Sequence, residues 1–252
     1  MKEEKNKRWQ RLNIYIVLLT LLVIGIAFFM LRTQQQDEVG DYGKWDRQGI
    51  DVSHHQGIID WEIVAEKSTI KFAYIKATEG SSHKDSLYTR NTAEARKSGI
   101  AVGSYHYFHP NVDVAVQYAN FMSVVDPATQ DLVPVIDIEE RGGKPSKQIC
   151  DSLKKFAALI EAEWDNKPII YTHQRFYNNS LQRSVDDHLL WIARYGLGKV
   201  KPSPSLEDNR SYGIWQYSDR GFIEGIKGKV DLNTLNEHCD MNVITLKKQL
   251  IK

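Results

Sequence analysis

Leu132-Val-Pro-Val-Ile-Asp-Ile-Glu139 is a short apolar run that closes on two acids separated by a single residue. An extended strand puts residues i and i+2 on one face. Asp137 and Glu139 therefore point one way, and Ile136 and Ile138 the other. Folding gains nothing from two carboxyl groups crowded at the end of a buried strand, but chemistry does. Repulsion and partial desolvation push one of the pair toward its protonated form at neutral pH. A carboxylic acid beside a carboxylate is the usual equipment for cleaving a glycosidic bond.

Outward from this run the chain alternates. Short apolar strands are expected at 49–53, 71–77, 101–108, 133–139, 168–172, 189–195, 212–217 and 230–233. Helices are expected at 61–66, 86–98, 112–125, 146–164 and, briefly, 174–179. In the 146–164 segment Ser146 offers an N-cap, and Ile149, Leu153, Phe156, Ala157 and Ile160 recur at helical spacing. Gly99 is a stop signal for the 86–98 helix. The alternation predicts an α/β fold, an irregular (β/α) TIM-like barrel of eight strands with about five helices. Beyond 172 helices thin out, and Gly196, Gly198, Pro202 and Pro204 punctuate the chain. The last strands are therefore expected to join by loops or hairpins.

Barrels gather their active sites at the carboxyl ends of the strands. Asp51 lies in the first strand, Asp137 and Glu139 end the fourth, and Asp231 lies in the last. Closure makes the first and last strands neighbours, so all four acids converge on one mouth. Asp51 alone also reads as a turn residue, and Asp231 alone as a cap; the joint pattern carries the argument. Aromatics fall at the same strand ends: Tyr105, Tyr107, Tyr171, Trp191 and Trp215. Such rings commonly fill cores, yet sugars stack on them, and a ligand cleft needs apolar walls with a few polar anchors. Gln216, Lys76, Glu79 and Arg194 are the candidate anchors, or else they serve internal pairs.

Other chemistries find less support. His54, His55, His106 and His109 are potential metal ligands beside the acids. However, positions i and i+3 of a strand face opposite sides, and no His-Glu-x-x-His motif occurs. No Gly-x-Ser-x-Gly elbow is present, nor any phosphate-cradling glycine loop. Neither a metal nor a cofactor is expected.

The 252 residues carry a net charge of only +1. Residues 1–13 hold five basic and two acidic side chains, which leaves a mildly acidic remainder. That is not the distribution of a nucleic-acid binder. The basic tip precedes an uncharged apolar run from Ile14 to Leu31, whose eighteen positions reach about 27 Å as a helix. No small-residue cleavage site follows, so a transmembrane signal anchor is expected, with its positive flank in the cytoplasm. The expected organisation is a cytoplasmic tip (1–13), an anchor (14–31), a polar tether (32–46), a catalytic barrel (47–240) and a tail (241–252). It places the barrel outside the cell membrane. Cys150 and Cys239 could pair in an oxidising exterior or remain two thiols. Oligomeric state is not readable.

Seven segments together resemble glycoside hydrolase family 25, the lysozymes or muramidases. They are Gly49-Ile-Asp-Val-Ser-His-His-Gln-Gly-Ile-Ile-Asp-Trp61, Lys76-Ala-Thr-Glu-Gly80, Gly103-Ser-Tyr-His-Tyr107, Val135-Ile-Asp-Ile-Glu139, Leu190-Trp-Ile-Ala-Arg-Tyr195, Ile214-Trp-Gln-Tyr-Ser218 and Val230-Asp-Leu-Asn233. The resemblance implies hydrolysis of the β-1,4 bond between N-acetylmuramic acid and N-acetylglucosamine in peptidoglycan glycan strands. It implies Glu139 as general acid, Asp137 as the partner of the reacting acetamido group, and Asp51 and Asp231 as supporting carboxylates. Two rivals stand beside it. A chitinase-like hydrolase also spaces acids by one residue, but its longer Asp-x-x-Asp-x-Asp-x-Glu series is absent here. A non-catalytic glycan-binding protein could keep the same fold.

Overall fold

The computed structural model describes residues 2–33, 37–38, 47–196 and 202–247. The chain forms two units, 1–36 and 37–252. The first holds one helix, α1 (Lys2–Thr33). Its described side chains from Asn13 to Phe29 are exposed on all sides. Among the described residues no helix is long and apolar enough to cross a membrane. The expected span over 14–31 is therefore not shown, and most of the expected 32–46 tether lies outside the described residues.

The second unit is a closed barrel. Its strands are β1 (Gln48–Val52), β2 (Ile70–Glu79), β3 (Ala101–Tyr107), β4 (Val135–Asp137), β5 (Ile169–His173), β6 (Leu190–Ala193), β7 (Ile214–Phe222) and β8 (Val230–Leu235). Neighbours from β1 to β7 pair in parallel. β8 folds back from β7 as a hairpin and closes antiparallel on β1. Two dipeptide strands, Asp37–Glu38 beside β7 and His83–Lys84 beside β2, sit outside the ring.

Five helical segments cross between the strands: α2 (Trp61–Lys67), α3 (Tyr88–Lys97), α4 (Val114–Met122), α5 (Ser146–Trp164) and α6 (Gln174–Phe176), the last running into a π turn at Tyr177–Leu181. Gly99 follows α3 at φ +83°, as its stop role requires. The expected Ser146 cap is not made. Pro145 holds the cap position of α5 and no side chain bonds its first turn, since a proline presets φ for helix entry at no hydrogen-bond cost.

Alternation along the strands builds two cores. Ile50, Val52, Ile136, Ile138, Ile192, Trp215 and Tyr217 face outward against the helices. Phe72, Tyr74, Val135, Ile169, Tyr171, Trp191 and Ile214 fill the barrel. Gly103 makes room for this filling, because a Cβ there would lie 2.4 Å from the Tyr74 ring and 2.9 Å from Leu132 Cβ. The expected tail boundary at 240 cuts through this core: Ile244 is fully buried in the inner cluster, and its carbonyl accepts from Val133 N at 2.8 Å.

Candidate active site

One cavity of about 230 Å³ opens at the carboxyl ends of the parallel strands, lined by Asp51, Asp137, Glu139 and Asp231 together. Asp137 ends β4, and Glu139 follows on the same face. Asp231 reaches the same mouth by the opposite route. Its strand runs antiparallel, so a residue near the start of β8 lies directly across from Asp51 near the end of β1.

The walls hold Tyr105, Tyr107, Tyr171, Trp191, Gln216 and Lys76. Two of the expected contacts lie elsewhere. Trp215 is turned outward, its Nε1 donating to the Arg194 carbonyl at 2.9 Å. It adjoins the inward Gln216, and neighbours on a strand face opposite sides. Glu79 stands behind the wall, accepting from Lys76 Nζ at 2.6 Å and pairing with His109 Nε2 at 2.9 Å. Burial would raise Glu79, but those two partners outweigh it and hold the carboxyl at about 2. Lys76 Nζ lies 5.2 Å from the Tyr107 ring centroid, a cation–π distance.

A hydrogen-bonded network fixes Asp51. Its Oδ2 accepts from Asn233 Nδ2 at 2.7 Å and Gln216 Nε2 at 2.8 Å. Gln216 Oε1 in turn accepts from Tyr171 OH at 2.8 Å and Tyr195 OH at 2.5 Å. Asn233 Oδ1 accepts from Trp191 Nε1 at 2.9 Å. Burial raises Asp51 to about 6, tempered by these donors. Burial, then the negative charge of Asp51, raises Asp231 to about 9. At neutral pH, Asp231 therefore carries a proton beside an ionised Asp51.

The Asp137–Glu139 pair also divides its proton unequally. Burial, and then the charge on Glu139, raises Asp137 well above the carboxylate range. Burial would raise Glu139 too, but the His173 hydrogen bond and charge outweigh it and lower the group. His173 Nε2 sits 2.8 Å from Glu139 Oε2. The imidazole is raised in return, chiefly by that hydrogen bond. In the unliganded cleft the proton thus rests on Asp137, not on Glu139. Asp137 Oδ1 is buried with no hydrogen-bond partner among the described residues. The arrangement can donate one proton, hold one carboxylate ionised and present one unpartnered acceptor to a ligand.

The histidines separate. His106 is buried behind the wall between Thr78 and Gln117, and burial lowers it to about 4. His55 lines the cavity. His54 pairs with Asp85. Tyr195 is among the strand-end aromatics, whereas His173 and Asn233 carry no role in the sequence reading. Their signal is the strand period: His173 is i+2 from Tyr171, and Asn233 is i+2 from Asp231.

The family profile of Glycosyl hydrolases family 25 matches residues 50–226. The Autolytic lysozyme of Clostridium acetobutylicum is 36% identical over 191 residues, covering 75% of this chain and 56% of that protein. The Uncharacterized protein YegX of Escherichia coli K12 is 33% identical over 231 residues, covering 90% of this chain and 83% of YegX. Among solved structures, a family 25 glycosyl hydrolase from Bacillus anthracis aligns with a TM-score of 0.71 at 32% identity, over 80% of this chain and 93% of that one. A bacterial lysozyme from Streptomyces coelicolor aligns with a TM-score of 0.69 at 31% identity, over 78% and 93% of the two chains.

Proposed function

Since this chain belongs to Glycosyl hydrolases family 25 and is a glycoside hydrolase, we propose that its substrate is peptidoglycan. The bond cut is the β-1,4 linkage between N-acetylmuramic acid and N-acetylglucosamine. The observation that carries this reading is the meeting of Asp137 and Glu139 in one cavity with Asp51 and Asp231. The lysozymes among its relatives support the substrate class.

Glu139 acts as general acid and then general base, with retention of configuration. The acid and its neighbour on one strand are too close to flank a sugar ring, which favours attack by the substrate's own 2-acetamido oxygen over a carboxylate nucleophile. Asp137 then steadies the charge that develops on the acetamido group. The pair holds one proton, and catalysis needs it on Glu139. A bound sugar supplies the shift. It strips water from Glu139, which is 29% exposed at its side chain when empty, and desolvation favours the protonated form. The acetamido N–H meanwhile offers Asp137 Oδ1 the donor it lacks, which favours the ionised form there. Asp51 and Asp231 support the cleft, and Tyr105, Tyr107, Tyr171 and Trp191 supply its walls.

The apolar run of residues 14–31 holds the barrel outside the cell membrane, next to the wall. Its support is the uncharged sequence behind a basic tip. Extraction of cell membranes with alkaline carbonate tests the anchor, since a peripheral protein would be released. Mass spectrometry of muropeptides released by the full chain tests the bond. Reducing-end N-acetylmuramic acid is expected; reducing-end N-acetylglucosamine would exclude the proposed bond. A glycan-binding protein without activity would release neither.

A further inference from the structure

We infer that His54, His83 and Asp85 form a binding site for a first-row transition-metal dication, of which Zn²⁺ is the natural probe, beside the cleft and separate from its acids. Each residue offers one ligand atom, and the three atoms lie within 4.8 Å of one another. They come from two pieces of backbone: His54 from the turn after β1, and His83 and Asp85 from the short strand pairing with β2 and the residue that follows it. Convergence of two imidazoles and a carboxylate from two segments far apart in sequence is the geometry of a three-ligand site with room for water. Nitrogen ligands select zinc, cobalt or nickel over calcium and magnesium, which prefer oxygen.

The ligands are held in place before any ion arrives. The Asp85 side chain is fully buried, and its Oδ1 accepts from Leu87 N at 3.0 Å. Its Oδ2 accepts from His54 N at 2.8 Å and faces His54 Nδ1 at 2.7 Å. His54 opens a single 3₁₀ turn secured by a capping box between Ser53 and Gln56. His83 is paired across from Glu79. Asn120 Nδ2 donates to the Glu79, Gly80 and His83 carbonyls at 3.3, 3.0 and 3.2 Å, which fixes the backbone that carries the ring. The His54 and His83 rings are tilted with centroids 5.9 Å apart. The described ion pairs of Asp85 include no Lys or Arg, so its charge is left for His54 or a cation.

Zinc ligands at about 2.0–2.2 Å from the ion stand about 3.3 Å apart in a tetrahedron. Binding therefore opens the His54–Asp85 pair by about half an ångström and displaces any proton on Nδ1. The bound ion would tie the 80–84 turn to the 53–56 turn. His55 and Gln56 of that turn line the cleft, so the ion stiffens one cleft wall without touching the acids.

Full-length protein, stripped with a chelator and passed into metal-free buffer, is titrated with Zn²⁺ by calorimetry and by thermal melting. One equivalent is expected to bind and to raise Tm. His83→Ala removes an exposed side chain, so its metal-free Tm should match the wild type. Its Zn²⁺ affinity should fall by about tenfold or more, and the Tm gain should disappear. Co²⁺ absorption in the visible region, present in wild type and lost in the variant, would identify the ligand set. Absence of a Tm gain in wild type, or an equal gain and affinity in His83→Ala, would overturn the site. Neither result bears on the glycan reading, which muropeptide release tests separately.

Discussion

His173 Nε2 lies 2.8 Å from Glu139 Oε2, so the residue proposed as the acid rests in an ion pair. The pairing explains why Glu139 stays ionised in a site where burial would otherwise protonate it. On the proposed mechanism, the single proton of the Asp137–Glu139 pair has to cross when sugar arrives.

Glu139→Gln should lower kcat by about 10²–10⁴ while leaving Tm near the wild-type value. The side chain stands at the cavity rim, and an amide keeps its volume. Clearing of a wall suspension reads the rate, and calorimetric melting reads the fold. Wild-type clearing by this variant would remove Glu139 from the mechanism.

His173→Gln keeps a hydrogen-bond donor and deletes a cation. The Glu139 carboxyl should then titrate higher, since the His173 charge that helps to lower it is gone while the hydrogen bond stays. A general acid works only while protonated, so the alkaline limb of kcat/KM should move to higher pH. The limb belongs to the coupled pair rather than to Glu139 alone. A purely structural role for His173 would lower activity without moving the limb.

Asp231→Asn should stabilise the empty barrel and cripple it. Asp231 is raised from 3.8 to about 9 and Asp51 to about 6. Acids raised in the fold bind extra protons there, so stability falls as pH climbs from about 4 and levels off above the raised values. An amide at 231 removes this penalty. At pH 8 the gain should be at least about 1 kcal/mol, or about 2–4 °C in Tm, and below pH 4 it should vanish. An equal Tm difference at both pH values would contradict the burial argument.

Gly103→Ala should cost about 1–3 kcal/mol by overpacking, as its Cβ meets the Tyr74 ring and Leu132 Cβ. Urea denaturation reads this directly. A neutral result would mean that the barrel interior yields more easily than its filled core indicates.

Much of this was legible in the chain. All eight strands and five helical segments fall within a few residues of where apolar periodicity puts them, because period 2 and period 3.6 are local properties of the backbone. The i, i+2 rule placed Asp137 and Glu139 on one face and Ile136 and Ile138 on the other without any coordinates. The same rule, applied to Ile214-Trp-Gln-Tyr217, separates Trp215 from Gln216, so the two cannot both line the cleft. Ser146 looked like a cap only because a capping side chain and a first-turn position are indistinguishable in sequence when a proline precedes.

Sequence alone decided which side chains share a face, and hence that two acids had to stand together at the end of a strand. Tertiary structure alone decided who keeps the proton. That choice depends on His173 arriving from β5, on Asn233 and Gln216 donating to Asp51 across the β8 seam, and on how completely each carboxyl loses its water. Periodicity acts over a few residues along the chain, whereas charge and desolvation act through space between segments that sequence leaves far apart.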